Sequence, residues 1–146
     1  MKIAILEDLK EVAVSLQEFL NTQDDISCTQ VYFNAEDAMH FLVLNPVDIL
    51  LVDIGLPRAN GIEAMEYLSQ YCPAMLFCMF TVYEDDEKIF KSLQSGAKGY
   101  ILKGAGNAKI AEALKELYHG GSPMSPSIAR RILEVFQKMN VSPKSQ

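Results

Sequence analysis

Asp48-Ile49-Leu50-Leu51-Val52-Asp53 is an unbroken branched apolar run with an aspartate at each end, and Ile54-Gly55-Leu56-Pro57-Arg58-Ala59-Asn60-Gly61 follows it with turn formers. A run this short and this apolar reads as a strand buried on both faces, the pattern of a parallel sheet. Comparable runs lie at 2–7, 74–81 and 99–102, with a more polar one at 27–33. Helical stripes separate them: Leu9, Val12, Ala13, Leu16 and Leu20 recur at helix spacing, as do Ile110, Ala113, Leu114 and Leu117. Strand and helix thus alternate through five βα repeats, which predicts an α/β fold with a parallel sheet covered on both faces by helices. Periodicity leaves the strand order open. In open sheets of this kind ligands bind beyond the carboxyl ends of the strands.

Element ends carry their own signals. Asn34 with Asp37 reads as an N-cap followed by an N3 acid, Asn107 as the cap of a helix at 108–119, and Gly120 as its end. The acids Glu84-Asp85-Asp86-Glu87 precede Lys88 and Lys91, an order that suits a helix dipole. Beyond Gly120-Gly121-Ser122-Pro123, Ser125-Pro126 reads as an N-cap and N1 proline. Ile128, Ile132, Val135, Phe136 and Met139 then form the stripe of a sixth helix that trails into a polar tail from Val141. Residues 1–120 hold 9 basic against 18 acidic side chains, whereas residues 121–146 hold 4 against 1. The expected division is a main domain at 1–120 and a connecting helix and tail at 121–146. An acidic body repels a phosphate backbone, so the chain itself is a poor nucleic-acid binder. The longest apolar stretch, around Ala74 to Phe80, is far short of the roughly 20 residues of a membrane helix. Cys28, Cys72 and Cys78 form no CxxC pair, and their apolar settings predict buried free thiols in a reducing cytoplasm.

The strand ends concentrate chemistry. The first strand ends at Glu7-Asp8, the third at Asp53 and the fourth at Thr81, while Lys103 directly follows the fifth. Any one of these is ordinarily a cap or a surface group. All of them in register with successive strands form a site at one sheet edge. Three clustered carboxylates repel one another unless a cation sits among them, and oxygen ligands of this kind suit Mg²⁺. An ammonium and a hydroxyl beside such a metal suit a phosphoryl group in transfer. Asp53 is best placed as the nucleophile, since carboxylates form aspartyl phosphates.

At these residues the chain resembles the receiver domain of bacterial two-component response regulators. The resemblance covers about residues 1–120 and rests on Ile5-Leu6-Glu7-Asp8, Val52-Asp53-Ile54-Gly55-Leu56-Pro57 with Gly61, Thr81, and Gly96-Ala97-Lys98-Gly99-Tyr100-Ile101-Leu102-Lys103. It implies a doubly wound, flavodoxin-like (βα)5 fold with a five-stranded parallel sheet in the order 2-1-3-4-5, here with an extra C-terminal helix. It further implies that Asp53 takes phosphate from a sensor histidine kinase. Asp8, Asp53 and the Gly55 carbonyl would bind Mg²⁺ directly, with Glu7 acting mainly through water, and Thr81 and Lys103 would hold the phosphoryl oxygens. Tyr100 matches an aromatic switch residue that swings inward as Thr81 moves. By the same resemblance the chain is no enzyme beyond its own phosphorylation and dephosphorylation, and it is cytoplasmic, without a membrane partner.

His119-Gly120-Gly121-Ser122, Met124-Ser125-Pro126 and Ala129-Arg130-Arg131 narrow the resemblance to the NarL/LuxR type. The resemblance implies a homodimer on phosphorylation and contact with DNA only through a C-terminal helix-turn-helix domain, into which regulators of that type usually continue. Gln146 falls about where that domain would begin, and a truncated chain is the favoured expectation over a stand-alone receiver. Two departures stand out. Gly104 follows Lys103 where many receivers have a cis proline, which leaves that bond's geometry open. Gly55 and bulky Tyr83 occupy the two positions that screen the phosphoryl group from water. Among rivals, a flavodoxin-like electron carrier is disfavoured because Glu7-Asp8 would repel a flavin phosphate. An aspartyl phosphohydrolase is disfavoured because Gly55 stands where a second carboxylate is needed. A phosphate-independent pseudo-receiver that serves as an interaction module is the strongest alternative.

Overall fold

The computed structural model describes residues 1–55 and 61–139, so the expected turn at Leu56-Pro57-Arg58-Ala59-Asn60 and the tail from residue 140 lie outside the described residues. Strands β1 (Lys2–Leu6), β2 (Ser27–Tyr32), β3 (Ile49–Val52), β4 (Leu76–Thr81) and β5 (Gly99–Leu102) alternate with helices α1 (Lys10–Leu20), α2 (Ala35–Leu44), α3 (Gly61–Tyr71), α4 (Asp86–Gln94) and α5 (Asn107–Tyr118). Helix α6 (Pro126–Met139) follows. The strands form one parallel sheet in the order β2-β1-β3-β4-β5. The path runs outward from β1 to β2, then doubles back past β1 to β3, β4 and β5. Because parallel crossovers are right-handed, that reversal places α1 on one face and α2, α3 and α4 on the other.

Strand side chains alternate between two cores, as a period of two requires. Ala4, Leu6, Leu50, Val52, Phe77, Met79 and Tyr100 meet α2, α3 and α4 on one face. Ile3, Ile5, Ile49, Leu51, Cys78, Phe80 and Ile101 meet α1 and α5 on the other. The helix stripes read from sequence supply the matching surfaces, Ala13, Leu16 and Leu20 from α1 and Ile110, Ala113, Leu114 and Leu117 from α5. Burying a branched side chain of this size contributes about 1.5–3 kcal/mol each, so the alternation fixes which way every strand faces. All three cysteines are buried and free of disulfides, and burial pushes the thiols of Cys28 and Cys78 up to about 12.

The caps follow the sequence in part. The Asn34 side chain accepts a hydrogen bond from the Asp37 amide at 2.8 Å, as expected, and Asp85 accepts from Lys88 at the start of α4. Gly120 ends α5 with φ +98°. The expected cap at Asn107 is displaced by one residue. Gly106 takes φ +92°, a conformation open chiefly to glycine, so the chain turns there and Asn107 becomes the first helical residue. Ser125 stands where the sequence places it, directly before Pro126 at the start of α6 with its carbonyl accepting from the Ile128 and Ala129 amides, but its hydroxyl accepts from the Leu102 amide on β5 at 3.0 Å.

Helix α6 is tied to the sheet. Pro123–Ser125 lies parallel along the outer edge of β5: the Tyr100 amide donates to the Pro123 carbonyl at 2.9 Å and the Ser125 amide donates to the Tyr100 carbonyl at 3.0 Å. Ile128 is fully buried in the same core as Tyr100 and Ile89, with Phe90, Leu93 and Ile132 packed against it. Arg131 pairs with Asp86 at 3.2 Å and the Ser127 hydroxyl donates to Glu84 at 3.0 Å. These exposed polar contacts contribute little stability; the apolar contacts hold the helix. No described helix is long and apolar enough to cross a membrane.

Candidate functional site

The carboxyl ends of β1, β3, β4 and β5 meet at one edge of the sheet, and the predicted residues sit on them. Glu7 and Asp8 follow β1 and Asp53 follows β3, where the Asp53 amide donates to the Leu6 carbonyl at 3.0 Å and aligns the two ends. Thr81 is the last residue of β4, in register with Leu102 on β5, and Lys103 comes next in a 3-10 turn over Lys103–Ala105. No described peptide bond is cis, which settles the Lys103–Gly104 bond as trans.

A close approach fixes Asp53 from the other side. Gly61 opens α3 against the end of β3, where a side-chain carbon would stand 2.3 Å from Val52 Cγ1 and 2.6 Å from the Asp53 carbonyl oxygen. Only glycine allows that packing. Both Asp53 carboxylate oxygens are engaged: Oδ1 accepts from the Gly55 amide at 3.0 Å, and Oδ2 lies 3.2 Å from Lys103 Nζ. Lys103 also pairs with Glu7, and Glu7 accepts from the Leu9 amide at 3.0 Å.

Charge and burial oppose each other here. Glu7 and Thr81 are fully buried and Asp53 is 6% exposed. Burial, with help from the Asp8 and Asp53 carboxyls, holds the Glu7 carboxyl above its ordinary range, although Lys103 and the Leu9 amide oppose it. Burial also works against the Lys103 ammonium, yet the Glu7 hydrogen bond and the Asp53 charge outweigh it and raise the lysine overall. Three carboxylates against one ammonium leave a cluster short of positive charge. One ligand oxygen from each of Glu7, Asp8 and Asp53 lies within 4.8 Å of the others. A spacing of this size suits three oxygen ligands around one hard cation such as Mg²⁺. The all-oxygen donors also fit its chemistry.

Glu7, Asp8, Asp53 and Lys103 are therefore brought together. Thr81 joins them less directly: its hydroxyl accepts from the Tyr83 amide at 3.4 Å, and among the described residues no hydrogen bond links it to Asp53. Tyr83 leans over the site. A side-chain carbon on Gly55 would stand 2.9 Å from its ring and 3.4 Å from its hydroxyl. Tyr100 is fully buried, and its hydroxyl donates to the Tyr83 carbonyl at 2.7 Å. Burial pushes that phenol up, and Asp85, Asp53 and Glu84 add to the effect. Sequence reasoning missed Phe80, whose ring centroid lies 5.3 Å from Lys103 Nζ. Phe80 is paired in register with Ile101 on β5 and faces the same side of the sheet, but its approach to Lys103 depends on the turn after that strand.

Oxygen regulatory protein NreC of Staphylococcus carnosus is 28% identical over 137 residues, covering 93% of this chain and 63% of that protein. Response regulator protein VraR of Staphylococcus epidermidis is 27% identical over 138 residues, covering 94% of this chain and 66% of that protein. The chain thus spans somewhat under two thirds of the length of these curated relatives. Among solved structures, a LuxR-family two-component response regulator from Aurantimonas sp. SI85-9A1 superposes with a TM-score of 0.85 at 26% identity, covering 91% of this chain and 95% of that one. The isolated receiver domain of RcsB from Salmonella enterica serovar Typhimurium, with phosphomimetic BeF3-, shares the fold with a TM-score of 0.80 at 18% identity, covering 89% and 96%. Residues 3–115 match the response regulator receiver domain, and the chain belongs to that family.

Proposed function

We propose that this chain is a phosphorylation switch in which Asp53 accepts a phosphoryl group from the phosphohistidine of a sensor kinase. One observation carries the reading: an aspartate at the carboxyl end of the central strand has one oxygen 3.2 Å from a lysine ammonium and stands within 4.8 Å of two further carboxylates. In the transfer, an Asp53 oxygen attacks phosphorus, the phosphorus–nitrogen bond breaks, and its electron pair stays on the donor imidazole. Asp8, Asp53 and the Gly55 carbonyl, with Glu7 acting mainly through water, would hold Mg²⁺, which would neutralise charge on the incoming phosphoryl oxygens. Lys103 turns from Asp53 toward the new phosphoryl group, and the buried Thr81 hydroxyl donates to it. Tyr83 limits the approach of water, and Tyr100 passes the shift at Thr81 to the α4–β5 surface.

Residues 1–120 then serve as the receiver body and 121–146 as the connector to an output. The name of a further relative, the transcriptional regulatory protein LnrK of Bacillus subtilis, 26% identical over 138 residues, supports a transcriptional output. Homodimerisation on phosphorylation and a cytoplasmic location accord with that role. Intact mass after incubation with acetyl phosphate and Mg²⁺ tests the core of the reading. One phosphoryl adduct is expected on the wild type and none on Asp53→Asn; equal labelling of both, or of neither, rejects Asp53 as the acceptor, and the latter favours a phosphate-independent interaction module.

A further inference from the structure

The sheet edge at β5 carries a residue outside the 3–115 match that reaches toward the site. Ser125 makes two bonds to β5: its amide donates to the Tyr100 carbonyl at 3.0 Å, and its hydroxyl accepts from the Leu102 amide at 3.0 Å. With the Tyr100 amide bonded to the Pro123 carbonyl at 2.9 Å, the segment that leads into α6 holds the outward amide and carbonyl of Tyr100 and the amide of Leu102. Gly99 permits this approach, since a side-chain carbon there would stand 3.1 Å from both Pro123 Cγ and the Pro123 carbonyl oxygen. Leu102 directly precedes Lys103, whose ammonium bridges Glu7 and Asp53. Tyr100 ends on the Tyr83 carbonyl, two residues past Thr81.

We propose that Ser125 is a positioning residue for Lys103 and Tyr100, and that through it the docking of α6 and the occupancy of the Asp53 site by a phosphoryl group strengthen each other. The inference rests on the phosphoacceptor reading above. The Leu102–Ser125 bond fixes the backbone from which Lys103 extends, and the same serine begins α6, accepting from the Ile128 and Ala129 amides through its carbonyl. A ligand that draws Lys103 into one position favours the β5 edge that matches it, and linkage requires the reverse effect of equal size.

Fluoroberyllate binding in magnesium buffer, measured by calorimetry on the 146-residue chain, tests it alongside amide hydrogen exchange in α6. Ser125→Ala removes the acceptor, and about three- to tenfold weaker binding is expected, the worth of one hydrogen bond. Ser125→Thr keeps the hydroxyl and should bind as the wild type does. In the wild type, fluoroberyllate should slow exchange across residues 128–139. A purely structural role for Ser125 would lower the melting temperature of Ser125→Ala and leave its affinity unchanged, and that result overturns the inference, as does unaltered α6 exchange in the wild type. A wild type that neither binds fluoroberyllate nor takes up phosphate rejects the phosphoacceptor reading itself and this inference with it.

Discussion

Replacing Gly61 by alanine sets two effects of opposite sign against each other. Alanine is the better helix former by about 1 kcal/mol in a helix interior, and less at the first helical position that Gly61 occupies. Against this, the new methyl would stand 2.3 Å from Val52 Cγ1 and 2.6 Å from the Asp53 carbonyl oxygen, closer than an ordinary contact by about an ångström. Neither neighbour can yield cheaply. Val52 is fully buried and β-branched, so its rotamer is restricted, and the Asp53 backbone is pinned to β1 through its amide. The start of α3 must therefore back away from the sheet and loosen Ile62 and Met65. Overpacking of this kind costs about 1–3 kcal/mol, so Gly61→Ala should lose about 2 kcal/mol. In urea that moves the unfolding midpoint down by about 1 M at an unchanged slope. Gly104→Ala is the control, because no atom lies within 4 Å of a side-chain carbon there; it should change stability by no more than about 0.5 kcal/mol. Because Asp53 is one of the atoms crowded, phosphorylation should fall further than the lost stability explains, toward 100-fold for a misplacement of about 1 Å. A Gly61→Ala protein as stable as the wild type would show that helix propensity wins and that the packing argument is wrong.

Removing the ring that leans over Gly55 should open the site to water, so Tyr83→Ala should dephosphorylate several-fold faster; an unchanged decay of the phosphorylated protein would refute the screening role. Mg²⁺ should raise the melting temperature of the wild type, because it binds the folded carboxylate cluster alone, by an amount that grows with concentration. Asp8→Asn should abolish most of that rise, and an equal shift in both proteins would place the ion elsewhere. With their thiols near 12 and fully buried, Cys28 and Cys78 should resist a thiol reagent at pH 8 in the native protein and react in denaturant; rapid native labelling would contradict their burial.

Much of this was legible because two periodicities carry it. The runs at Ile49–Val52 and Gly99–Leu102 read as strands because they are short and largely apolar, and all of their residues but the half-buried Leu102 are buried. The α6 stripe at Ile128 and Ile132 read as helix for the same kind of reason. Glu7, Asp8, Asp53, Thr81 and Lys103 were legible because each terminates or follows a strand. What failed to show was contact between elements distant in sequence. Asn107 carries cap chemistry, but Gly106, able to take φ +92°, decides where α5 begins. Ser125 looked like a local cap, yet its hydroxyl answers a β5 amide that local pattern cannot see. Phe80 beneath Lys103 and the contact between Tyr83 and Gly55 depend on the fold in the same way.

The pairing of Lys103 with Glu7 spans 96 positions, and that span bears on how the protein is made. A ribosome delivers Glu7 early and Lys103 late, after the other four strands of the sheet have already been made. Until β5 docks, the acids lack their ammonium and Thr81 lacks its neighbouring strand. A partly synthesised or locally opened chain therefore presents carboxylates but no complete acceptor. Long-range closure of this sort slows folding, and on the proposed reading it also means that competence to receive a signal would arrive only with the finished sheet.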